Sequence, residues 1–344
     1  MSKVYVLGAL GYRTTLFDGQ TIKTRNLKDL VAEKLDCVDY YDTQDFQYNK
    51  FSIICMLWKA IWCKYLFYLP AENNLRIIFP ILYFLSKIFR YEIHYFVVGG
   101  WLVEFLQDKP SLARKLNRIA GIHCETHLMK ENLETKYNHN NVDVFPNFRI
   151  NDFVPTKHHT KGTLKVVFMA RILKQKGLDT IFAMGDEIIK QDLQSLISVD
   201  FYGPMMNLND DEAFFKENIK NYDFMNYFGP LEPKDIYTTL EKYDVMILPT
   251  HFYTEGLPGS ILDAYISGIP VVVTNWKHAT EFVDDGKCGV IIPFDDDGHG
   301  LYNSIYMLLN NPSMLDSMKS EARNRWHDFS SEHAWELIKN YIRI

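Results

Sequence analysis

The chain reads as two α/β domains, each built on a largely parallel sheet. Three observations predict this. Short apolar runs (KVYVLGA at 3–9, LKVVFMA at 164–170, DVMILPT at 244–250, IPVVVTN at 269–275) alternate with longer segments of helical periodicity. That is the rhythm of strands buried on both faces by crossover helices. At 344 residues the chain exceeds the length at which one hydrophobic core usually divides. Between the two series lies the boundary FPNFRIND, residues 145–152, where Phe-Pro-Asn ends a strand, and the following DFVPTKHHTKG is polar, contains proline and has little periodicity, as expected of a linker. The domains are therefore expected at 1–150 and 151–330, with a helix at about 331–344 packing back onto the first.

Composition narrows the class. Apolar residues are 47% and charged residues 23%, both ordinary for a soluble globular protein. Cys37, Cys55, Cys63, Cys124 and Cys288 form no CxxC pair and no metal-ligand spacing, which predicts reduced thiols and a cytoplasmic location. The opening MSKVYVLGALGY runs into a strand and turn, so no secretory signal is expected. The net charge of −6 is uneven. Residues 1–150 carry 19 Lys and Arg against 15 Asp and Glu, a net of +4, and residues 151–344 carry 18 against 28, a net of −10. A basic first half suits an anionic membrane or lipid phosphate. Without a basic, aromatic-interleaved stripe, nucleic-acid binding is not expected.

In the first domain, strand 3–9 is followed by the loop LGYRTTLFDG and a helix from Gln20 to about Leu35. Gly8 and Gly11 do not complete GxGxxG, and no acidic residue closes a matching second strand. Gly19 has two readings: a backbone position that lets a diphosphate approach, or simply the start of the helix. The most apolar segments are Phe51–Leu69 and Ile77–Phe89. Neither is a transmembrane span, because Lys59 and Lys64 interrupt the first and the second has 13 residues before Arg90. They predict a helix, the strand YLFYL, a helix from about Asn73 and the strand EIHYFVV. Trp58 and Trp62 lie one turn apart beside Lys59 and Lys64, which fits a core helix or one resting on a bilayer; core packing is the expectation carried forward. Gly99 and Gly100 end the strand bearing His94 and admit close approach to the backbone. His123 and His127 flank a further strand and helix and read as structural.

In the second domain, the strand LKVVFMA, the loop RILKQKG and the helix LDTIFAMGDEIIK are followed by the strands SVDFYG, MNYFGPL and DVMILPT. Helices are expected at about 209–220 and 233–242. Arg171 and Lys176 lie in a loop at the carboxyl end of a parallel strand, where α/β sheets bind ligands. Two cations there suit a diphosphate, arginine as a planar fork and lysine as a point charge. The stretch Glu255–Asn275 combines loop, helix, turn and buried strand. Pro258 is expected at the first helical position, Ile261, Leu262, Tyr265 and Ile266 recur at helical spacing, and Gly268 ends the helix. The helix N-terminus offers unpaired N–H groups to an anion. Glu255 just outside it and Asp263 a turn and a half inside are placed to accept hydrogen bonds from sugar hydroxyls. Glu281, the strand GKCGVII and the acidic loop Asp295–Asp297 come next. Adjacent carboxylates diverge, so that loop reads as solvated rather than metal-binding. Two C-terminal helices are expected, the last with Trp335, Ile338 and Ile342 on one face.

These features resemble glycosyltransferase family 4, retaining enzymes of the GT-B architecture. Glu255, seven residues and then Asp263, followed by SGIPVVVTN, looks like the family's E-x7-E signature with aspartate in second place. Arg171 through Gly177 matches R-x4-K-G, Gly229-Pro230-Leu231 resembles the turn that contacts the base, and Pro146-Asn147 resembles the domain crossing. The family often carries a histidine at the end of the strand bearing His94, which lies about five residues too early for the role to be carried over. The resemblance covers most of the second domain and is architectural in the first.

It implies two Rossmann-like domains facing an interdomain cleft, the first binding the acceptor and the second the donor. It implies retaining transfer from a nucleotide-diphosphate sugar, UDP favoured over GDP, to an acceptor hydroxyl in cell-surface polysaccharide assembly such as capsule or O-antigen; the apolar, mildly basic first domain favours a lipid-linked glycan as that acceptor. Arg171 and Lys176 would hold the diphosphate and stabilise the leaving group. Gly256, Leu257, Pro258 and Gly259 would supply the helix terminus, Glu255 the sugar contacts, Asp263 the ribose contact, Leu231 the base contact and Gly19 the diphosphate approach. His251, Tyr253 and Thr254 would lie near the donor sugar. No cofactor and no metal are implied, since lysine and arginine take the cation's place. Apart from the resemblance, the apolar, mildly basic first domain and the lack of a secretion signal suit peripheral contact with the inner face of an anionic cytoplasmic membrane. Two alternatives remain open: a nucleotide-sugar-binding subunit that needs a partner, and an epimerase or phosphorylase of similar architecture. Epimerases generally add carboxylates in the cleft, and phosphorylases want a cofactor lysine and a longer chain.

Overall fold

The computed structural model describes residues 4–13, 19–156, 162–205 and 210–342. Lys3 of the first predicted strand, residues 14–18 and 157–161 of the predicted loop and linker, residue 209 and the last two residues lie outside the described residues. The chain divides into two compact units, residues 1–150 with 329–344, and residues 151–328.

The first unit is a six-stranded sheet of β1 (Val4–Gly8), β2 (Val38–Asp42), β3 (Tyr65–Leu69), β4 (Glu92–Phe96), β5 (Gly121–Cys124) and β6 (Val142–Val144). The order is β2-β1-β3-β4-β5-β6, parallel throughout. Strand side chains alternate between faces. Tyr5, Leu7, Leu66, Tyr68 and Tyr95 pack under the helices Ser52–Trp62, Glu72–Ile77 and Phe79–Phe89. Val4, Val6, Tyr65 and Phe67 pack on the other face, against the helices Gly19–Lys34 and Ser331–Tyr341, the latter through Ala334 and Ile338.

Three departures from the sequence reading occur here. β2 had no counterpart, because VDYYD is an edge strand with Tyr40 exposed and needs no continuous apolar run. The apolar segment from Glu72 is two helices rather than one, with Pro80 in the first turn of the second, where its missing N–H costs nothing. The helix Ser52–Trp62 buries Met56 and Ala60 but leaves Ile54, Trp58 and Trp62 exposed, so the core expectation holds for one face only. A helix apolar all round gives no periodic signal for which side is covered.

The second unit carries β7 (Leu164–Met169), β8 (Ile197–Tyr202), β9 (Met225–Gly229), β10 (Val245–Leu248), β11 (Val271–Thr274) and β12 (Gly289–Ile292). The order is β12-β11-β10-β7-β8-β9, again parallel. The chain runs outward from β7 to β9, returns to the other side of β7 as β10, and continues outward to β12. Strand order therefore reverses between β7 and β10, the position where open α/β sheets bind ligands beyond their carboxyl ends.

Pro258 is the N-cap of the helix Gly259–Ile266, so the helix begins one residue later than expected. Gly268, at φ +69°, ends that helix as a Schellman motif: its N–H donates to Tyr265 O at 3.1 Å and the Ile269 N–H to Ala264 O at 3.0 Å. The helix expected from about 209 runs Asp211–Asn218, and the one expected at 233–242 is a 3₁₀ turn, Pro233–Asp235, followed by Ile236–Leu240. Three helices, not two, follow the acidic loop: His299–Asn310, Pro312–Arg325 and Ser331–Tyr341, the first break falling at Pro312. In that loop Asp296 is not merely solvated. Its carboxylate accepts from the N–H groups of Gly298, Gly300 and Leu301 at 3.1, 2.7 and 3.1 Å and so caps the helix His299–Asn310.

Candidate active site

The site of interest forms where the loops after β7 and β10 meet. The loop after β7 makes a 3₁₀ turn, Lys174–Lys176, and leaves it at Gly177 with φ +85°. A Cβ on Gly177 would stand 1.9 Å from Pro249 O, so only glycine lets the two loops touch. They are stitched by the His251 N–H to Gln175 O at 2.9 Å and by Thr250 Oγ1 to the same oxygen at 3.2 Å. Thr274, at the end of β11, adds Oγ1 to Thr250 O at 2.6 Å.

This framework buries Lys176, 6% exposed, and points its ammonium at Glu255. Nζ donates to Oε1 at 2.5 Å and Oε2 at 2.7 Å, and Thr250 Oγ1 lies 3.1 Å from Oε2. Burying a charge is costly unless it is paired, and the bidentate carboxylate supplies the pair. An ammonium has three protons. Two are directed at Glu255, which leaves one donor for an anion. Gly256, Leu257 and Pro258 are buried and lead into Gly259, whose helix begins with N–H groups that lack an i−4 carbonyl, the Ile261 N–H turning to Pro258 O at 3.1 Å. The structure thus places a held cation and a helix N-terminus on adjacent loops of the switch point.

The remaining predicted residues are more dispersed. Arg171 is exposed, outside the Lys176–Glu255 pair, and the segment after it turns toward β8, where Ile172 bridges Met205. Asp263 is buried and accepts from Tyr237 Oη at 3.4 Å. Leu231 is half-buried just beyond the edge strand β9. Gly19, in the other unit, is the first residue of its helix, and among the described residues nothing lies within 4 Å of where its Cβ would stand. His251 Nε2 lies 3.1 Å from Asp179 Oδ1 and 3.2 Å from Thr180 Oγ1. Tyr253 and Thr254 are exposed, and Tyr253 meets Phe294 edge-on at 5.2 Å.

His94 and His123 pack inside the first unit. His94 Nδ1 lies 3.0 Å from His123 Nε2, and Tyr341 stacks on His123 at 3.9 Å. Burial pushes His94 down to about 4 and His123 well below its usual value, with His94 and Lys23 adding to the latter. His127 opens the helix His127–Tyr137.

Sequence reasoning missed three partners. Thr250 and Tyr237 carry no local signal. Lys23 does carry one, since it shares a helical stripe with the core residues Leu27 and Leu30. Its Nζ, fully buried, donates to Glu125 Oε1 at 2.8 Å and Val97 O at 2.9 Å, and Glu125 Oε2 accepts the Gly99 N–H at 3.3 Å.

Comparison with known proteins places this architecture. A 2-deoxystreptamine N-acetyl-D-glucosaminyltransferase of Niallia circulans is 28% identical over 167 residues, 47% of this chain and 40% of that protein. The capsular polysaccharide biosynthesis glycosyltransferase CapM of Staphylococcus aureus is 22% identical over 222 residues, 62% of this chain and 56% of that one. The chain thus spans about half the length of these curated relatives. Among solved structures, Anabaena Alr3699/HepE in complex with UDP-glucose matches with a TM-score of 0.73 at 13% identity over 99% of both chains. Sucrose-phosphate synthase of Thermosynechococcus elongatus matches with a TM-score of 0.75 at 14% identity, over 99% of this chain and 98% of that one. The two parallel six-stranded sheets are those of the GT-B fold. The family model described as glycosyl transferases group 1 matches residues 151–325, half of the chain, and the chain belongs to that family.

Proposed function

We propose that the protein transfers a sugar, with retention, from a nucleotide-diphosphate donor to a hydroxyl of a glycan acceptor in cell-surface polysaccharide biosynthesis. The observation that carries this is the buried Lys176 ammonium, held by Glu255 beside the N-terminus of the helix Gly259–Ile266. Family membership and the capsular relative support the reaction class and its setting. The UDP-glucose complex of a protein with the same fold supports UDP over GDP as the donor nucleotide.

In this reading Lys176 turns its remaining proton to the diphosphate, and Glu255 fixes where that proton points. As the glycosidic bond breaks, charge grows on the leaving phosphate and is met by Lys176, by the exposed fork of Arg171 and by first-turn N–H groups at Gly259. Preorganised donors of this kind need no metal. Glu255 also accepts hydrogen bonds from the sugar hydroxyls through its free lone pairs. Asp263, whose carboxylate Tyr237 orients, takes the ribose and Leu231 the base, while the first unit binds the acceptor. The acceptor attacks from the face the leaving group departs, which gives retention. We assign the acceptor to the lipid-linked glycans. Product analysis by nuclear magnetic resonance, after incubation with a UDP-sugar and such an acceptor, tests the reading. A new linkage with the donor's anomeric configuration is expected. An inverted linkage contradicts retention, and nucleotide binding with no transfer to any acceptor reduces the chain to a donor-binding subunit.

A further inference from the structure

The first unit carries an apolar surface that its own core does not need. On the helix Ser52–Trp62, Met56 and Ala60 face the sheet, while Phe51, Ile54, Trp58 and Trp62 recur at spacings of three and four on the outer side, 81, 65, 61 and 47% exposed. The helices Glu72–Ile77 and Phe79–Phe89 repeat the arrangement. Leu75, Phe79 and Leu82 are buried, and Ile77, Ile81, Phe84 and Ile88 form the outward stripe. The helices Ser52–Trp62 and Phe79–Phe89 pack side by side on one face of the sheet, so their outward stripes share one layer. Apolar residues exposed singly are ordinary, whereas two adjoining stripes of them mark a contact surface.

Charge selects the occupant. Between Tyr48 and Arg90 the chain holds six cations and one anion, Glu72. Lys59 is half-buried and paired with Asp39 at 2.8 Å, which leaves five cations against Glu72, a net of +4. Lys50, Lys64, Arg76, Lys87 and Arg90 are all exposed at or near the ends of these helices. Trp58 and Trp62 lie edge to face at 5.7 Å, amphipathic rings suited to the boundary between headgroups and acyl chains. Among the described residues no helix is long and apolar enough to cross a membrane. A second copy pairing through this face would set +4 against +4, whereas an anionic lipid surface complements the charge and accepts the apolar stripes.

We propose that these two outward stripes are a membrane-docking face for anionic bilayers, with the apolar side chains seated among the acyl chains and the cations at the phosphates. The assignment rests on the surface alone, so it stands or falls separately from the sugar-transfer reading. Flotation of the full chain with phosphatidylglycerol–phosphatidylcholine vesicles, against pure phosphatidylcholine, tests it. Co-flotation with the anionic vesicles is expected, with a blue-shifted tryptophan emission. Trp58→Ser combined with Phe84→Ser, both at exposed positions, should lower vesicle binding by at least about tenfold with unfolding unchanged, given the apolar area withdrawn from the interface. Lys50→Gln and Lys64→Gln should each lower it about fivefold, the weight of one cation near an anionic surface. Wild-type protein left in the dense fraction with both vesicle types overturns the proposal, as does undiminished flotation of both sets of variants. A wild-type dimer in sedimentation that the apolar variant dissolves assigns the face to a second copy and overturns it too.

Discussion

At the scale of single residues, the Lys176 cation is buried and held before any donor arrives. Glu255 engages two of the three Lys176 protons, and Thr250 lies within hydrogen-bond distance of the carboxylate. Replacing Glu255 with glutamine keeps the shape, removes the charge and turns an NH₂ group toward the ammonium. Donor turnover should fall about 10²-fold or more, the size of effect seen when a transition-state contact is lost. Turnover like wild type in that variant would remove Glu255 from the site. Gly177 is the second test at this scale. Alanine there meets both a left-handed backbone and the Pro249 carbonyl, so Gly177→Ala should destabilise by more than the roughly 1–2 kcal/mol of the backbone term alone. It should also lower turnover, because the loop that positions Lys176 has to move. Unchanged denaturant midpoint and unchanged turnover would show that the two loops are not locked as described. The residue types and loops of this pair were legible in the sequence. Their pairing was not, because it joins residues 79 positions apart and follows only from β7 and β10 being neighbours.

At the scale of elements, strands β4 and β5 bring His94 and His123 together in the dry interior of the first unit. The unfolded chain takes a proton on His94 near 6.5, and the folded chain only near 4, because burial disfavours the cation. Between those values the unfolded state binds more protons, so acid favours unfolding. The stability from the neutral pair is complete above about pH 6.5 and declines toward pH 4, by up to about 1.4 kcal/mol per pH unit for each histidine. Denaturant midpoints of wild type and His94→Gln, compared at pH 7.5 and 5.5, test this. The wild type should lose more stability on acidification than the variant, and parallel losses would exclude the pair as the cause. The elements themselves differed in how plainly the sequence announced them. The strands of the second unit are continuous apolar runs punctuated by glycine and proline, because both faces of a parallel sheet are covered. β2 escaped notice as an edge strand with two aspartates and an exposed tyrosine. The helix Ser52–Trp62 was recognised, but its apolar residues surround it, and only the packing decides which side meets the sheet.

At the scale of the molecule, two parallel sheets each reverse strand order once, between β1 and β3 in the first and between β7 and β10 in the second. The fold is kept with little sequence in common, as the HepE match at 13% identity over nearly the whole of both chains illustrates. Composition alone separated a mildly basic first half from an acidic second. It did not reveal that the excess positive charge gathers beside one apolar face, because that requires knowing which sides of three helices are covered. The family match falls on the second unit, and so do the loops that hold Lys176 and Glu255. It is this unit that we propose activates a nucleotide-sugar. The most direct test is nucleotide release by the purified chain across UDP- and GDP-sugars, with Lys176→Ala as control. Release from a UDP-sugar that the substitution abolishes is the predicted result. No release and no nucleotide binding across the panel would contradict the account.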